Sequence, residues 1–341
     1  MPISAEVLTN PKAERIRRVA DLANRRSRER YGRFLVEGPQ SVREAVLCRP
    51  DVVRDVYVTV DGDEPDSPIS FVAAAKIAGQ ALNTGIYVHK ITAQVMARIS
   101  TDAQGIVAVG DLGAMVGSDS GVGAGVGETT GGAADRRAAA DGGTDENGSV
   151  VHNDATHNDA THGDADARGA SGMIAAFWQV RDPGNAGTVI RVADAAGCRA
   201  VVFVDDCVDM FNPKVIRATA GSLFHLPVLT MRTDEFFDWA KNGDRPVIAA
   251  DVHGTELRRP ESLPDVLAAW AQPEGIEREP SPVVLFGNEA RGLADDVLAR
   301  VGRIVSIPIY GRAESLNLAT SASAMLMSMA MAAHRAGRHA A

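Results

Sequence analysis

Apolar and polar positions follow two different periods along this chain, and the changes of period mark its elements. At residues 12–24, Ile16, Val19, Leu22 and Ala23 recur at helical spacing and predict an amphipathic helix with an arginine-rich outer face. Residues 33–38, Arg-Phe-Leu-Val-Glu-Gly, read as a strand ending in a turn, with a helix over 41–47 behind it. Strands are predicted at 52–59 and 86–89, helices at 71–80 and 92–99, and a last run at 105–110 closes a first unit. From residue 173 onward short apolar runs alternate with helical stretches. The runs lie near 174–180, 200–204, 226–229, 247–251, 283–286 and 304–307, and a final helix covers about 316–335. That alternation predicts an α/β domain with a largely parallel sheet.

Two of these strands end on glycine. The run 283–286 stops at Gly287, where the missing Cβ lets the backbone approach something closely. The run 304–309 stops before Gly311, with Ser315 or Asn317 placed to cap the last helix. Adjacent strand ends with glycine turns form a crevice at the carboxyl edge of a parallel sheet, where open α/β sheets bind ligands.

Composition adds a boundary that periodicity does not. Residues 113–170 contain no Phe, Trp or Tyr, abound in Gly and Ala, and repeat His-Asn-Asp-Ala-Thr at His152 and His157, decaying at His162. Such a stretch buries too little apolar area to offset its ordering entropy, so it is expected to be a disordered insert. A five-residue histidine period matches no metal geometry well, and repeat expansion is the simpler origin; no metal is expected. The division expected is 1–112, 113–170 and 171–341.

Charge is unevenly placed. The chain carries −9 overall, and residues 117–171 alone hold ten acidic and three basic side chains. Residues 12–33 hold nine basic and three acidic ones. The bland reading of that basic stretch is a solvated face; the alternative is phosphate contact through Arg25, Arg26 and Arg28. Cys48, Cys198 and Cys207 sit at no metal-ligand spacing and point to a reducing compartment. The first residues lack a signal pattern and no run approaches eighteen apolar residues, so a cytoplasmic protein with no membrane partner is expected.

Three motifs carry the candidate chemistry. The first runs from Arg181 through Asp182-Pro183-Gly184, Asn185, Gly187 and Arg191 to Gly197; Asn185 is expected to cap a helix. Among Val189, Ile190, Val192 and Ala193, Arg191 is expected on a buried side, where it would need an acidic or phosphate partner. The second is Leu285-Phe286-Gly287-Asn288-Glu289-Ala290-Arg291-Gly292-Leu293, and the third runs from Ile307-Pro308-Ile309-Tyr310-Gly311 to Glu314-Ser315-Leu316-Asn317. No G-K-[ST] loop and no G-x-G-x-x-G fingerprint is present, which weakens nucleotide-triphosphate and dinucleotide readings.

In order and spacing these motifs resemble the SpoU/TrmH branch of the SPOUT RNA methyltransferases, over roughly residue 173 to the end. At Ala290 the family commonly has glycine, a mild departure. The Phe-Leu-Val-Glu-Gly-Pro stretch and Gln104 to Ala108 resemble the small substrate-binding domain that precedes the methylase, itself similar to a ribosomal-protein fold. The resemblance implies a C-terminal trefoil knot, S-adenosylmethionine as methyl donor, and a homodimer acting on RNA, with rRNA ahead of tRNA. It implies donor contacts at Leu285, Gly287, Ile307 and Leu316, and catalytic roles for Arg191, Asn185, Glu289, Ser315 and Asn317 in methylating a ribose 2′-hydroxyl. Lys214 and Arg217 match a further family stretch, for RNA contact or dimer packing. Met325, Met327, Met329 and Met331 of the last helix are read as core and dimer packing. A non-catalytic RNA-binding or ribosome-assembly factor on the same fold is the alternative, as is base methylation by a related knotted enzyme.

Overall fold

In the computed structural model, residues 3–117, 172–270 and 282–339 are described. The expected disordered insert therefore lies outside the described residues from 118 to its end.

The first unit is a five-stranded mixed sheet in the order β1-β4-β3-β5-β2, from β1 (Ile3–Leu8), β2 (Arg33–Glu37), β3 (Val53–Thr59), β4 (Tyr87–Ile91) and β5 (Ile106–Asp111). Its helices are α1 (Glu14–Asp21), α2 (Arg25–Tyr31), α3 (Pro39–Cys48), α4 (Val72–Asn83), α5 (Ala93–Ile99) and α6 (Leu112–Gly117). Strand alternation decides the two faces. Leu35, Tyr57 and Val107 pack with Ile16 of α1 and Val95 of α5, while Phe34, Val36 and Val56 point the other way, toward α3 and α4. The single helix expected over 12–24 ends at Leu22, and the arginine-rich stretch behind it forms α2, closed by Gly32 at φ +62°. The sequence pattern missed β1 altogether; it is an edge strand, paired only with β4.

The second unit is a seven-stranded, all-parallel sheet in the order β10-β12-β9-β11-β6-β7-β8. Its elements are β6 (Ile174–Trp178), α7 (Pro183–Ala195), β7 (Ala200–Val204), α8 (Pro213–Ala218), β8 (Val228–Met231), α9 (Thr233–Asn242), β9 (Val247–Ala250), β10 (Glu261–Ser262), α10 (Leu263–Trp270), β11 (Val283–Phe286), α11 (Asp295–Leu298), β12 (Arg303–Ser306) and α12 (Leu318–His339). All six expected strands form, each within about two residues of the expected bounds; β6 stops short at Trp178 and β8 starts later, at Val228. Gly187 explains how α7 meets α8: a Cβ there would lie 2.4 Å from the Ala218 Cβ and 2.6 Å from the Val215 carbonyl oxygen. In α12, Met325 and Met329 are buried, whereas Met327 and Met331 are 36% and 53% exposed. Four methionines two residues apart cannot share one helical face. Among the described residues, no helix is long and apolar enough to cross a membrane.

One apolar core continues from the first unit into the second, with Phe34 of β2 at 4.9 Å from the Phe211 ring. Burying a side chain of that size is worth about 1.5–3 kcal/mol. Ion pairs rim this junction. Arg28 joins Asp209 at 2.6 Å, Arg217 joins Glu37 at 2.8 Å and Asp102 at 2.9 Å, and His225 lies between Asp194 at 2.8 Å and Glu44 at 3.3 Å.

Candidate active site

Loops from the carboxyl ends of the neighbouring strands β9, β11 and β12 enclose a cleft of about 460 Å³. Gly287 shapes the middle loop. A Cβ there would stand 2.3 Å from the Gly292 carbonyl carbon and 2.6 Å from its oxygen, so any side chain would force the loop open. The loop closes through paired backbone bonds, Asn288 N–H to Gly292 O at 3.1 Å and Gly292 N–H to Asn288 O at 2.8 Å. The Asn288 amide Nδ2 then donates to the Gln179 carbonyl at 2.7 Å, tying the loop to the end of β6.

Of the four expected donor-binding residues, Gly287, Ile307 and Leu316 line this cleft. Leu285 does not. It is 1% exposed, packs beside Phe236 and Leu298, and its backbone is paired to strands on both sides. Phe286, one residue on and facing the other way, lines the cleft in its place. Sequence reasoning gave Asp251 no role, yet it lines the same cleft, and its Oδ1 accepts from the His253 and Gly254 N–H groups at 2.9 and 2.8 Å. Its only signal was a carboxylate closing an apolar run.

The expected catalytic residues converge from three motifs. The Asn185 Nδ2 donates to Glu289 Oε1 at 2.9 Å, and the Asn317 Nδ2 donates to Asn185 Oδ1 at 3.3 Å. Asn317 also caps α12, its Oδ1 accepting from the Ala319 N–H at 2.9 Å. Asn185 is not the cap expected of it. Asp182 caps α7 by accepting from the Asn185 N–H at 2.7 Å, with Pro183 in the first helical position, and this frees the Asn185 amide to face Glu289. Ser315 is exposed and lines the cleft near Leu316.

Arg191 is placed otherwise than its apolar neighbours suggested. Ala186, Val189, Ile190 and Ala193 face the core, while Gly184, Arg191 and Ala195 are exposed, a stripe at helical spacing. The Arg191 side chain makes no hydrogen bond or ion pair among the described residues. Its guanidinium, with five N–H donors, is open to an incoming group.

Of the expected RNA contacts, Arg25, Arg26 and Lys214 are exposed, Arg25 being paired with Glu29 at 2.8 Å. Arg28 leaves that set. Its side chain is 4% exposed, with Nη1 donating to the Leu22 and Ala23 carbonyls at 2.8 Å each and Nη2 to Asp209. Arg217 leaves it too, held by Glu37 and Asp102 at the junction of the units. Burial pushes the Cys198 thiol up to about 12 and the Cys207 thiol up to about 11, which removes both as nucleophiles at neutral pH.

Residues 172–327 match the SpoU rRNA Methylase family, and residues 13–108 match the MRM3-like substrate binding domain. The chain is 36% identical over 147 residues to the 23S rRNA (guanosine(2553)-2′-O)-methyltransferase RlmP of Bacillus subtilis, covering 43% of this chain and 53% of that one. It is 32% identical over 151 residues to the 23S rRNA (uridine(2479)-2′-O)-methyltransferase of Streptomyces viridochromogenes, covering 42% and 47%. It thus spans about half the length of the curated relatives it matches. The solved structure of an AdoMet bound rRNA methyltransferase from Sinorhizobium meliloti shares the fold, with a TM-score of 0.63 at 22% identity over 96% of this chain and 98% of that one.

Proposed function

We propose, on the premise that this chain belongs to the SpoU rRNA Methylase family through residues 172–327, that it transfers a methyl group to a ribose 2′-hydroxyl of ribosomal RNA. The observation that carries the reading is the meeting of Asn185, Glu289 and Asn317, from three distant motifs, beside the glycine-cradled cleft.

S-adenosylmethionine fits that cleft. Gly287 opens a cradle that a Cβ would fill, Phe286, Ile307 and Leu316 offer apolar walls, and Asp251 and Glu314 offer carboxylates for a cationic ligand with hydroxyls. When bound, this donor supplies an electrophilic methyl on a sulfonium. The chain's own residues then have to position and polarise the ribose hydroxyl. Arg191 donates toward it and stabilises the developing alkoxide charge, the role open to a planar fork of N–H donors. Glu289, oriented by Asn185, which Asn317 orients in turn, is the carboxylate placed to accept the hydroxyl proton.

The rest of the reading follows the same lines. Residues 1–112 grip RNA, residues 171–341 hold the donor in a trefoil knot, and the outward Met327 and Met331 of α12 pack in a homodimer. Arg25, Arg26 and Lys214 meet phosphates. Three unpaired cysteines support a reducing, cytoplasmic setting. A binding-only descendant would have no reason to keep both Arg191 and Asn317.

The test uses rRNA from cells lacking the gene, incubated with the protein and methyl-labelled S-adenosylmethionine, then digested to nucleosides. Label is expected in a 2′-O-methylnucleoside that protects its 3′ bond from alkali. Label in a base, or none, contradicts the reading.

A further inference from the structure

We propose that a second cleft, between α1 and the sheet end formed by β2, β5 and β3, is a pocket for one unstacked nucleotide of the RNA substrate. The proposal rests on the reading of RNA as substrate and adds where, and by what chemistry, the first unit holds it.

This cleft has about 480 Å³ of space, inside the range of about 300–1,000 Å³ typical of small-ligand sites. Its floor is apolar, from Val19, Leu22 and Val109, and Tyr31 contributes an aromatic wall. Three guanidinium groups, Arg15, Arg18 and Arg33, stand around it. An aromatic ring beside guanidinium groups is what unstacked bases and their phosphates bind, because every base has a π-face and arginine forks match phosphate oxygens.

The charges inside are arranged for an anion. Arg15 is fixed in place, its Nε donating to the Tyr57 hydroxyl at 3.1 Å and its Nη2 to Asp55 at 3.3 Å. Buried His89 stands 2.9 Å from the same Asp55 carboxylate, between the Tyr57 and Tyr87 rings at 4.7 and 4.5 Å. Burial pushes the Asp55 carboxyl up, but the His89 hydrogen bond and the neighbouring charges outweigh it and hold the group below its usual range. Glu14, the other acid at the rim, is paired with Arg18. Both acids are therefore spoken for, and Arg33 has no ion-pair partner among the described residues. Arg30 adds a further cation over the Tyr31 ring at 5.5 Å.

The position suits an RNA contact. The cleft lies on the α1 side of the sheet, opposite the face that packs toward α3, α4 and the second unit. It also adjoins α2, which carries the exposed Arg25 and Arg26.

The experiment measures binding of the full-length protein to two fluorescein-labelled RNA hairpins, one with a single-nucleotide bulge and one fully paired, beside methyl transfer to rRNA. The wild type is expected to prefer the bulged hairpin about tenfold, since stacking one base on an aromatic side chain gives a factor of that order. Tyr31→Leu should erase the preference while Tyr31→Phe keeps it. Arg33→Glu should weaken both hairpins about tenfold and flatten the salt dependence. Lys76→Glu, a charge reversal on α4 across the sheet, should leave all these within about twofold. Equal binding of both hairpins by wild type and Tyr31→Leu overturns the proposal, as does preference for free mononucleotides with hairpin binding unchanged in every variant. If the wild type methylates rRNA and the pocket variants match it throughout, the pocket fails and the enzymatic reading stands. If no methyl is transferred but Tyr31→Leu still erases the bulge preference, the pocket stands and the enzymatic reading fails.

Discussion

The two clefts of this molecule are built in opposite ways. The C-terminal one opens at strand ends, and its shape comes from backbone: a glycine that admits no Cβ, a loop closed by paired amides, and an asparagine capping a helix. The N-terminal one lies between a helix and a sheet, and its shape comes from long side chains that reach across, Arg15 to Tyr57 and Asp55. Backbone-built sites tolerate almost no change at a few positions, whereas side-chain-built sites spread their dependence over many.

The sharpest break of that contrast is Gly287→Val. With a Cβ 2.3 Å from the Gly292 carbonyl carbon, the loop cannot close, and donor affinity should fall by about a hundredfold or more, as overpacking of a few kcal/mol implies. Titration calorimetry with S-adenosylmethionine checks it. Gly311→Ala serves as partner, because a Cβ at Gly311 meets nothing within 4 Å and binding should persist.

A smaller but still large effect belongs to the junction of the units. Arg28→Ala removes one member of a desolvated ion pair and strands Asp209, which should destabilise the fold by about 3 kcal/mol. Urea unfolding measures this, and Arg26→Ala, exposed two residues earlier, should change stability by less than about 0.5 kcal/mol. Equal effects from the two would return Arg28 to the solvated basic face.

The mildest effect is one of pH. Hydrogen bonding to Asp194, then to Glu44, raises the His225 pKa above its usual value, against the opposing effect of burial. A raised folded-state pKa means the contribution is whole below about 6.5 and is lost as pH climbs through the higher folded value. The melting temperature of the wild type should therefore decline over that window, and His225→Gln should flatten the decline. A wild-type profile no steeper than that of the variant would remove His225 as a clasp between the units.

Most of the C-terminal site was legible because backbone demands leave residue-type signatures. A glycine after a buried strand, an Asp-Pro pair before a helix and an asparagine before another each admit few substitutes. Arg28 was illegible because nine basic residues in one stretch look alike, and its partner Asp209 lies 181 positions away. Leu285 misled because it lies only two residues before the glycine in sequence while strand alternation turns it into the core. Arg191 misled in the other direction: apolar neighbours suggested burial, but a helix advances about 100° per residue and turns it out.

The central claim is that the donor cleft and Arg191 divide binding from chemistry. Arg191→Ala, assayed by single-turnover methyl transfer to rRNA beside calorimetric donor binding, tests it most directly. The account predicts wild-type donor affinity with transfer reduced about a hundredfold or more, the usual effect of removing a donor aimed at developing negative charge. Transfer at near wild-type rate, or loss of donor binding in parallel with transfer, would contradict it.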